Sequence, residues 1–324
     1  MNDTSRQNLL TLSIAAVERD TGLSKDTLRV WERRYGFPTP GRDAIGERAY
    51  PLDQVEKLRV VKRLMDAGHR PGRIVTLHHD ELLHISASTV DQPARGAETA
   101  LGAGELRELT QLIRSHDERA LSRRLRLTLA RFGIARFVVE VVAPLNTAVG
   151  DAWIRGQMEI FEEHVYTEVV QRVLRDAIAA VPHADADADT DARGRPAVLL
   201  STFPGEPHGL GLLMAEALLT LEGCRCVSLG LQTPVWDIVL AAAAFGCDVV
   251  ALGFTGCLNP NQAFDGLSEL RAKLPAEVEV WAGGTAPVLH RRRIAGVQPL
   301  AALEAISAQL ERWRASHPSP VPAG

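Results

Sequence analysis

From Pro196 to Ser316 the sequence alternates short, continuously apolar runs with helical stretches, and nothing else in the chain constrains the fold as strongly. The pattern predicts strands at Ala197–Phe203, Arg225–Leu229, Asp248–Phe254 and Val278–Ala282. Between and after them it predicts helices at Leu210–Leu221, Val235–Phe245, Gln262–Lys273 and Leu300–Ser316. Strands that are apolar throughout must be covered on both faces, which implies a parallel sheet between helical layers. The expectation for residues 196–316 is therefore an α/β doubly wound, Rossmann-like domain with right-handed crossovers. Its ligands should bind beyond the carboxyl ends of the strands.

The preceding segment, 104–182, carries helical signal almost throughout: Glu105–His116, Glu118–Phe132, Ala135–Ile154 and Glu159–Val181. Short connections bring consecutive helices antiparallel, so a four-helix bundle is expected. Residues 183–195, with their Ala-Asp alternation, and the polar, small-residue stretch 81–103 read as linkers. Residues 11–80 form a third region. Ser13 caps a helix Ile14–Asp20 that Gly22 ends, and Ser24 caps a second, Lys25–Tyr35. Gly36–Gly46 is a loop, and Leu52–Ala67 has apolar residues at helical spacing. The chain thus reads as multidomain.

Charge separates these regions. Residues 1–75 hold 14 Arg and Lys against 10 Asp and Glu, a net of +4, and since the whole chain is −4 the rest carries −8. A basic head on an acidic body suggests that only the head meets a polyanion. The sequence shows no apolar run long enough for a membrane span, and Leu9–Val17 is broken by polar residues, so a cytoplasmic protein is expected. Four cysteines lie in the last third, and the spacing of Cys224 and Cys226 is not that of zinc ligands; buried free thiols are the expectation.

In the head, a helix, a glycine turn and a second helix with Lys25, Arg29, Arg33 and Arg34 make a helix-turn-helix pattern. Its second helix offers donors to base edges and phosphates, and the following loop adds Arg42 and Arg48 as a wing. Val30, Trp31 and Tyr35 are expected in the small core. A helical hairpin with a solvated basic face would give much of the same pattern. The stretch Leu28-Arg29-Val30-Trp31-Glu32-Arg33-Arg34-Tyr35-Gly36, followed by Arg48-Ala49-Tyr50, resembles the MerR family of regulators over about residues 11–77. That resemblance implies a winged helix-turn-helix dimer on double-stranded promoter DNA.

The first strand of the sheet runs into Glu206-Pro207-His208-Gly209-Leu210-Gly211. A histidine there is either an ordinary loop residue or an imidazole aimed at a ligand above the sheet edge. The motif resembles the D/E-x-H-x-x-G element of cobalamin-binding domains in methionine synthase and corrinoid proteins. Thr255-Gly256-Cys257-Leu258 is similar to the second element of that family, with Leu displaced by Cys257, and Gly283-Gly284 to the third. The resemblance implies a cobalamin whose cobalt takes His208 as its lower axial ligand, with Glu206 behind the imidazole. It also implies that Gly209, Gly211, Thr255, Gly283 and Gly284 make room for the cofactor's tail.

In the helical segment, Trp153 and Glu163-His164 could be a core tryptophan and a solvated pair. Their spacing resembles the light-responsive adenosylcobalamin regulators called CarH or LitR, which join a MerR head to this bundle and sheet. The resemblance implies adenosylcobalamin as cofactor, with Trp153 walling the adenosyl group and Glu163 and His164 holding it. It further implies a repressor that is tetrameric in the dark and releases DNA as monomers in light. Some relatives have a histidine directly after the tryptophan; here Ile154 has no donor atom. A light-independent cobalamin- or tetrapyrrole-sensing regulator and a corrinoid methyltransferase component are the competing readings. The chain has no substrate barrel, and its head has no catalytic use, so it is not expected to be an enzyme.

Overall fold

The computed structural model describes residues 11–43, 46–66, 69–82, 85, 102–182, 195–256, 258–291 and 293–317. Most of both expected linkers and Cys257 lie outside them. The chain divides into two compact units: Met1–Arg95 with Gly150–Glu159, and Gly96–Val149 with Ile160–Gly324.

In the first unit, β1 (Thr11–Ser13) leads into α1 (Ile14–Thr21), and α2 (Lys25–Tyr35) follows one tight turn later. The turn forms where the sequence predicts it. Ser13 and Ser24 each accept a hydrogen bond from a backbone N–H of the first helical turn. Gly22, at φ 70°, closes α1 in the left-handed conformation that glycine adopts without a steric cost. β2 (Gly41–Arg42) and β3 (Arg48–Pro51) form an antiparallel hairpin, and β1 pairs with the other side of β3. α3 (Leu52–Asp66) and the short α4 (Pro71–Ile74) complete the fold. Val17, Leu28, Trp31, Tyr50, Val55, Leu58, Val61 and Leu64 pack the core. Two ion pairs brace it: Arg48 to Glu32 at 2.9 Å and Arg59 to Asp20, bidentate at 2.8 Å.

Val30 departs from expectation. It is 43% exposed, whereas Trp31 is buried, because α2 turns its 26/29/30/33 face outward and its 28/31 positions toward α1 and α3.

The second unit begins with α5 (Ala103–Arg114) and α6 (Glu118–Arg136). Gly133 (φ 73°, ψ 169°) interrupts α6, and a π-helical turn, Phe137–Val142, joins it to α7 (Ala143–Ile154), whose last turn belongs to the first unit. α8 (Ile160–Ala179) follows. The run Glu118–Ile154 contains a window apolar enough for a membrane span, with mean hydropathy 1.5, which the sequence reading did not expect. Within it Phe137, Val138, Val141, Val142 and Leu145 are buried inside the protein, and 33% of the window is buried in all.

The sheet contains five parallel strands in the order β5-β4-β6-β7-β8: β4 (Ala197–Ser201), β5 (Arg225–Gly230), β6 (Val249–Phe254), β7 (Glu279–Gly284) and β8 (Val297–Leu300). Intervening helices are α9 (Leu210–Leu221), α10 (Val235–Ala244), α11 (Pro260–Lys273) and α12 (Val288–Arg291), and α13 (Ala305–Ser316) ends the unit. α9 packs on α8 and α6, so the helical segment lies over the sheet through this helix. Every residue of β4 is buried, as a strand covered on both faces requires.

One boundary differs from the sequence reading. Leu300, expected to open the last helix, ends β8, because Val280–Gly283 offers a free strand edge that Val297–Leu300 completes. Cys224 and Cys247 are buried and Cys226 half-buried; burial pushes the Cys224 thiol up to about 12 and Cys226 to about 11.

Candidate functional site

The strand order places β4 and β6 side by side although β5 separates them in sequence. The chain leaves β4 toward one edge and returns across it to β6, so the loops after these two strands diverge and leave a crevice. His208 follows β4 and Thr255 follows β6; Gly283 and Gly284 end the adjoining β7. All three sequence elements therefore meet at one place on the sheet edge.

The loop after β4 is held from beneath. Thr202, buried at the strand end, donates from Oγ1 to the Glu206 carbonyl at 2.7 Å and accepts from the Gln232 backbone at 2.8 Å. Gly205, at φ 88°, makes the turn that sends Glu206 inward. The Glu206 side chain is fully buried. One carboxylate oxygen accepts from His208 Nδ1 at 2.8 Å; the other accepts from the Thr255 backbone N–H at 2.6 Å. The Thr255 hydroxyl lies 2.9 Å from both oxygens.

Burial raises the Glu206 pKa most, but the hydrogen bonds from His208 and Thr255 together outweigh it, so the carboxyl sits below its ordinary value. An ionised Glu206 needs a proton on His208 Nδ1, so in the neutral imidazole Nε2 is the nitrogen that carries the lone pair. With its side chain 54% exposed, His208 presents a basic nitrogen at the crevice, and a carboxylate behind it strengthens that nitrogen as a metal donor.

The glycines around the crevice have different roles. A Cβ at Gly211 would meet no heavy atom within 4 Å, so the first turn of α9 faces open space. At Gly209 a Cβ would come 2.8 Å from the Leu231 side chain. Gly284, at φ 114°, would place a Cβ 2.0 Å from the Phe254 carbonyl oxygen, so no side chain fits where β6 and β7 end. An exposed imidazole donor, a buried carboxylate behind it and open space beside α9 fit a metal-centred macrocycle with a bulky appendage.

The remaining residues expected in the site fall into both units. In the second, Glu163 accepts from the Thr167 hydroxyl at 2.8 Å and stands 3.6 Å from His164, whose side chain is 71% exposed. Glu162, beside them and buried, bonds His116 at 3.0 Å and ties the start of α8 to the α5–α6 turn. In the first unit, Trp153 is half-buried with the Arg63 guanidinium 5.6 Å from its ring centre.

The basic head shows which cations are exposed. Arg29, Arg33, Arg34 and Arg42 are exposed, with Arg29 bonded to Asp26 and Arg42 to the Gly46 carbonyl. Lys25 and Arg48 are half-buried beside Glu18 and Glu32. Val30, which sequence reasoning assigned to the core, stands exposed on the same helix as Arg29, Arg33 and Arg34. Only the outward register of α2 reveals it.

Two family models match the chain. The profile described as MerR HTH family regulatory protein matches residues 12–79, and that described as B12 binding domain matches residues 105–175. The HTH-type transcriptional repressor CarH of Myxococcus xanthus is 30% identical over 270 residues, which span 83% of this chain and 87% of that one. The chain belongs to the CarH family of MerR-type regulators. CarA of the same organism is 28% identical over 88% of this chain and 90% of its own. The CarH family thus accounts for both halves: a DNA-binding transcriptional regulator that carries a B12-binding domain. The monomethylamine corrinoid protein of Methanosarcina barkeri is similar in fold, with a TM-score of 0.50 at 18% identity over 65% of this chain and all of that one. At that identity the likeness is one of fold alone.

Proposed function

We propose that this regulator is a cytoplasmic repressor of promoter DNA that binds adenosylcobalamin and lets go of DNA in light. The observation that carries the cofactor assignment is the chain Thr255–Glu206–His208 at the sheet edge, which orients an exposed imidazole through its Nδ1. In this reading His208 is the lower ligand of cobalt. Gly209, Gly211, Thr255, Gly283 and Gly284 accommodate the cofactor's tail, and Trp153, Glu163 and His164 hold the upper group. When bound, adenosylcobalamin supplies a cobalt–carbon bond that visible light breaks.

The protein's part is recognition at both faces of the corrin. An indole wall suits the flat adenine, and a carboxylate at Glu163 suits ribose hydroxyls. The helical region 104–182 serves as a four-helix cap over the cofactor domain 196–316, and the winged helix-turn-helix head 11–80 reads DNA. Lys25, Arg29, Arg33, Arg34, Arg42 and Arg48 supply phosphate and base contacts, so affinity falls steeply with salt. Assembly into a dark tetramer makes several heads act together, and separation into monomers in light removes that gain.

Ile154 offers no nitrogen beside Trp153, so no second histidine reaches cobalt from that position. This favours, as a second reading, a regulator that answers to cobalamin itself without light.

One experiment separates the readings. The protein is reconstituted with adenosylcobalamin in darkness, and absorption, molecular mass and binding to operator fragments selected from genomic DNA are recorded before and after green light. Loss of the shifted DNA band on illumination supports the light switch. A band unchanged by light but dependent on cofactor supports the second reading.

A further inference from the structure

Arg63 is the one arginine in the described residues that is almost wholly buried, at 8% exposure. It projects from α3, in the head, between Val60 and Leu64, which are both core residues. Its Nε makes no hydrogen bond among the described residues, and its guanidinium lies over the Trp153 ring. Burial lowers its pKa, and Glu159, at the same corner, opposes that shift. A buried cation is costly unless something compensates, and here the compensation comes from the 150–159 corner, with an aromatic face and a carboxylate.

That corner is shaped to admit the arginine. Gly156, at φ 68°, ends α7 in a left-handed turn closed by its N–H to the Trp153 carbonyl at 3.0 Å. A Cβ at this position would lie 3.1 Å from an Arg63 terminal nitrogen. Met158, two residues on, is buried. One turn before Arg63 on α3, Arg59 holds Asp20 of α1 through two 2.8 Å bonds. A short chain of contacts therefore runs from the Trp153 indole through Arg63 and α3 to the first helix of the helix-turn-helix pair, all within one compact unit.

We propose that Arg63 clasps the Trp153 corner to the DNA-binding head, so that a ligand seated against the indole is felt in the helices that meet DNA. The ligand part rests on the assignment of Trp153 to the cofactor's upper face. Arg63 is a positioning residue: it acts through the indole and touches no reacting atom.

The test is hydrogen–deuterium exchange on the full chain, in darkness, for wild type, Arg63→Met and Arg63→Lys. Methionine keeps an unbranched apolar stem and removes the charge; lysine keeps the charge and removes the planar stack. In the cofactor-free protein, Arg63→Met is expected to speed exchange of residues 150–159 about tenfold, and Arg63→Lys less, as loss of a desolvated cation–π contact requires. Added adenosylcobalamin is expected to change exchange in α1 and α3 of wild type, and not in Arg63→Met, while the absorption spectrum shows uptake by both. Unchanged exchange at 150–159 in both variants overturns the clasp. So does a head that answers the cofactor equally in Arg63→Met and wild type. Should Arg63→Met fail to fold, Arg63→Lys decides by the same two measurements. If wild type takes up no corrinoid, the assignment of Trp153 falls, and the cofactor-free comparison alone decides the clasp.

Discussion

Glu206, fully buried, accepts a 2.8 Å hydrogen bond from His208 Nδ1 and so decides which imidazole nitrogen faces the crevice. The strength of that arrangement comes from a second strand. Thr255 donates to the same carboxylate through both backbone and side chain, so the buried carboxylate is held ionised and oriented at once.

Replacing Glu206 by Gln keeps the volume and removes the charge. Cobalamin affinity, read from absorption titrations, is expected to fall about tenfold to a hundredfold, the range for residues that orient a metal ligand. His208→Ala is expected to change the bound spectrum itself, because the lower nitrogen is lost. An unchanged spectrum in His208→Ala rejects the ligand assignment.

The same carboxylate predicts a pH dependence. Its folded pKa lies below the ordinary 4.5, so its stabilising contribution is complete above that value. It is lost as pH falls from there through the lower folded value. Thermal melting between pH 6 and pH 3 is therefore expected to show an acid-side loss in wild type that is smaller in Glu206→Gln. Parallel curves for the two proteins would contradict the direction of the shift.

Gly284→Ala puts a methyl 2.0 Å from the Phe254 carbonyl oxygen at a positive φ. Strained backbone of this kind costs about 1–3 kcal/mol, and the clash with β6 adds to it. Urea unfolding should show a loss of about 3 kcal/mol or more, with Gly211→Ala, which faces open space, far milder.

On the DNA side, Arg33→Ala and Arg48→Ala should differ. Arg33 is exposed, so its loss is expected to weaken operator binding and lower the salt slope by about 1 while leaving the melting temperature unchanged. Arg48 also holds Glu32, so its loss should in addition cost up to about 1 kcal/mol of stability, discounted for its partial exposure. Gel shifts across a salt series and a melting curve separate the two.

Buried thiols give a simple check of the sheet domain. With its pKa pushed up to about 12, Cys224 is expected to stay unmodified by alkylating reagents at pH 8 until the protein unfolds. Site-resolved mass spectrometry that finds native Cys224 readily alkylated would show that α9 and β5 are not packed as described.

Much of this protein is determined by short-range patterns. The Ser caps, the Gly22 turn and the apolar spacing of α2 and α3 act within a few residues, so the three longer helices of the head are legible nearly to the residue, while β1 and its pairing with β3 are not. β4 and β6 announce themselves because a strand covered on both faces excludes polar positions. The three elements of the crevice could be named from sequence because each is a short contiguous stretch that resembles a cobalamin-domain motif.

What the tertiary structure decided depends on residues far apart in the chain. β8 is a strand only because β7 leaves an edge for it. Val30 faces outward because α1 and α3 claim the neighbouring face of α2. The Glu206 carboxyl sits below its ordinary pKa because His208 and, from the end of β6, Thr255 both donate to it, and Arg63 lies buried beside the Trp153 corner. Burial, pairing and pKa are sums over neighbours that packing supplies, and local periodicity holds no record of them.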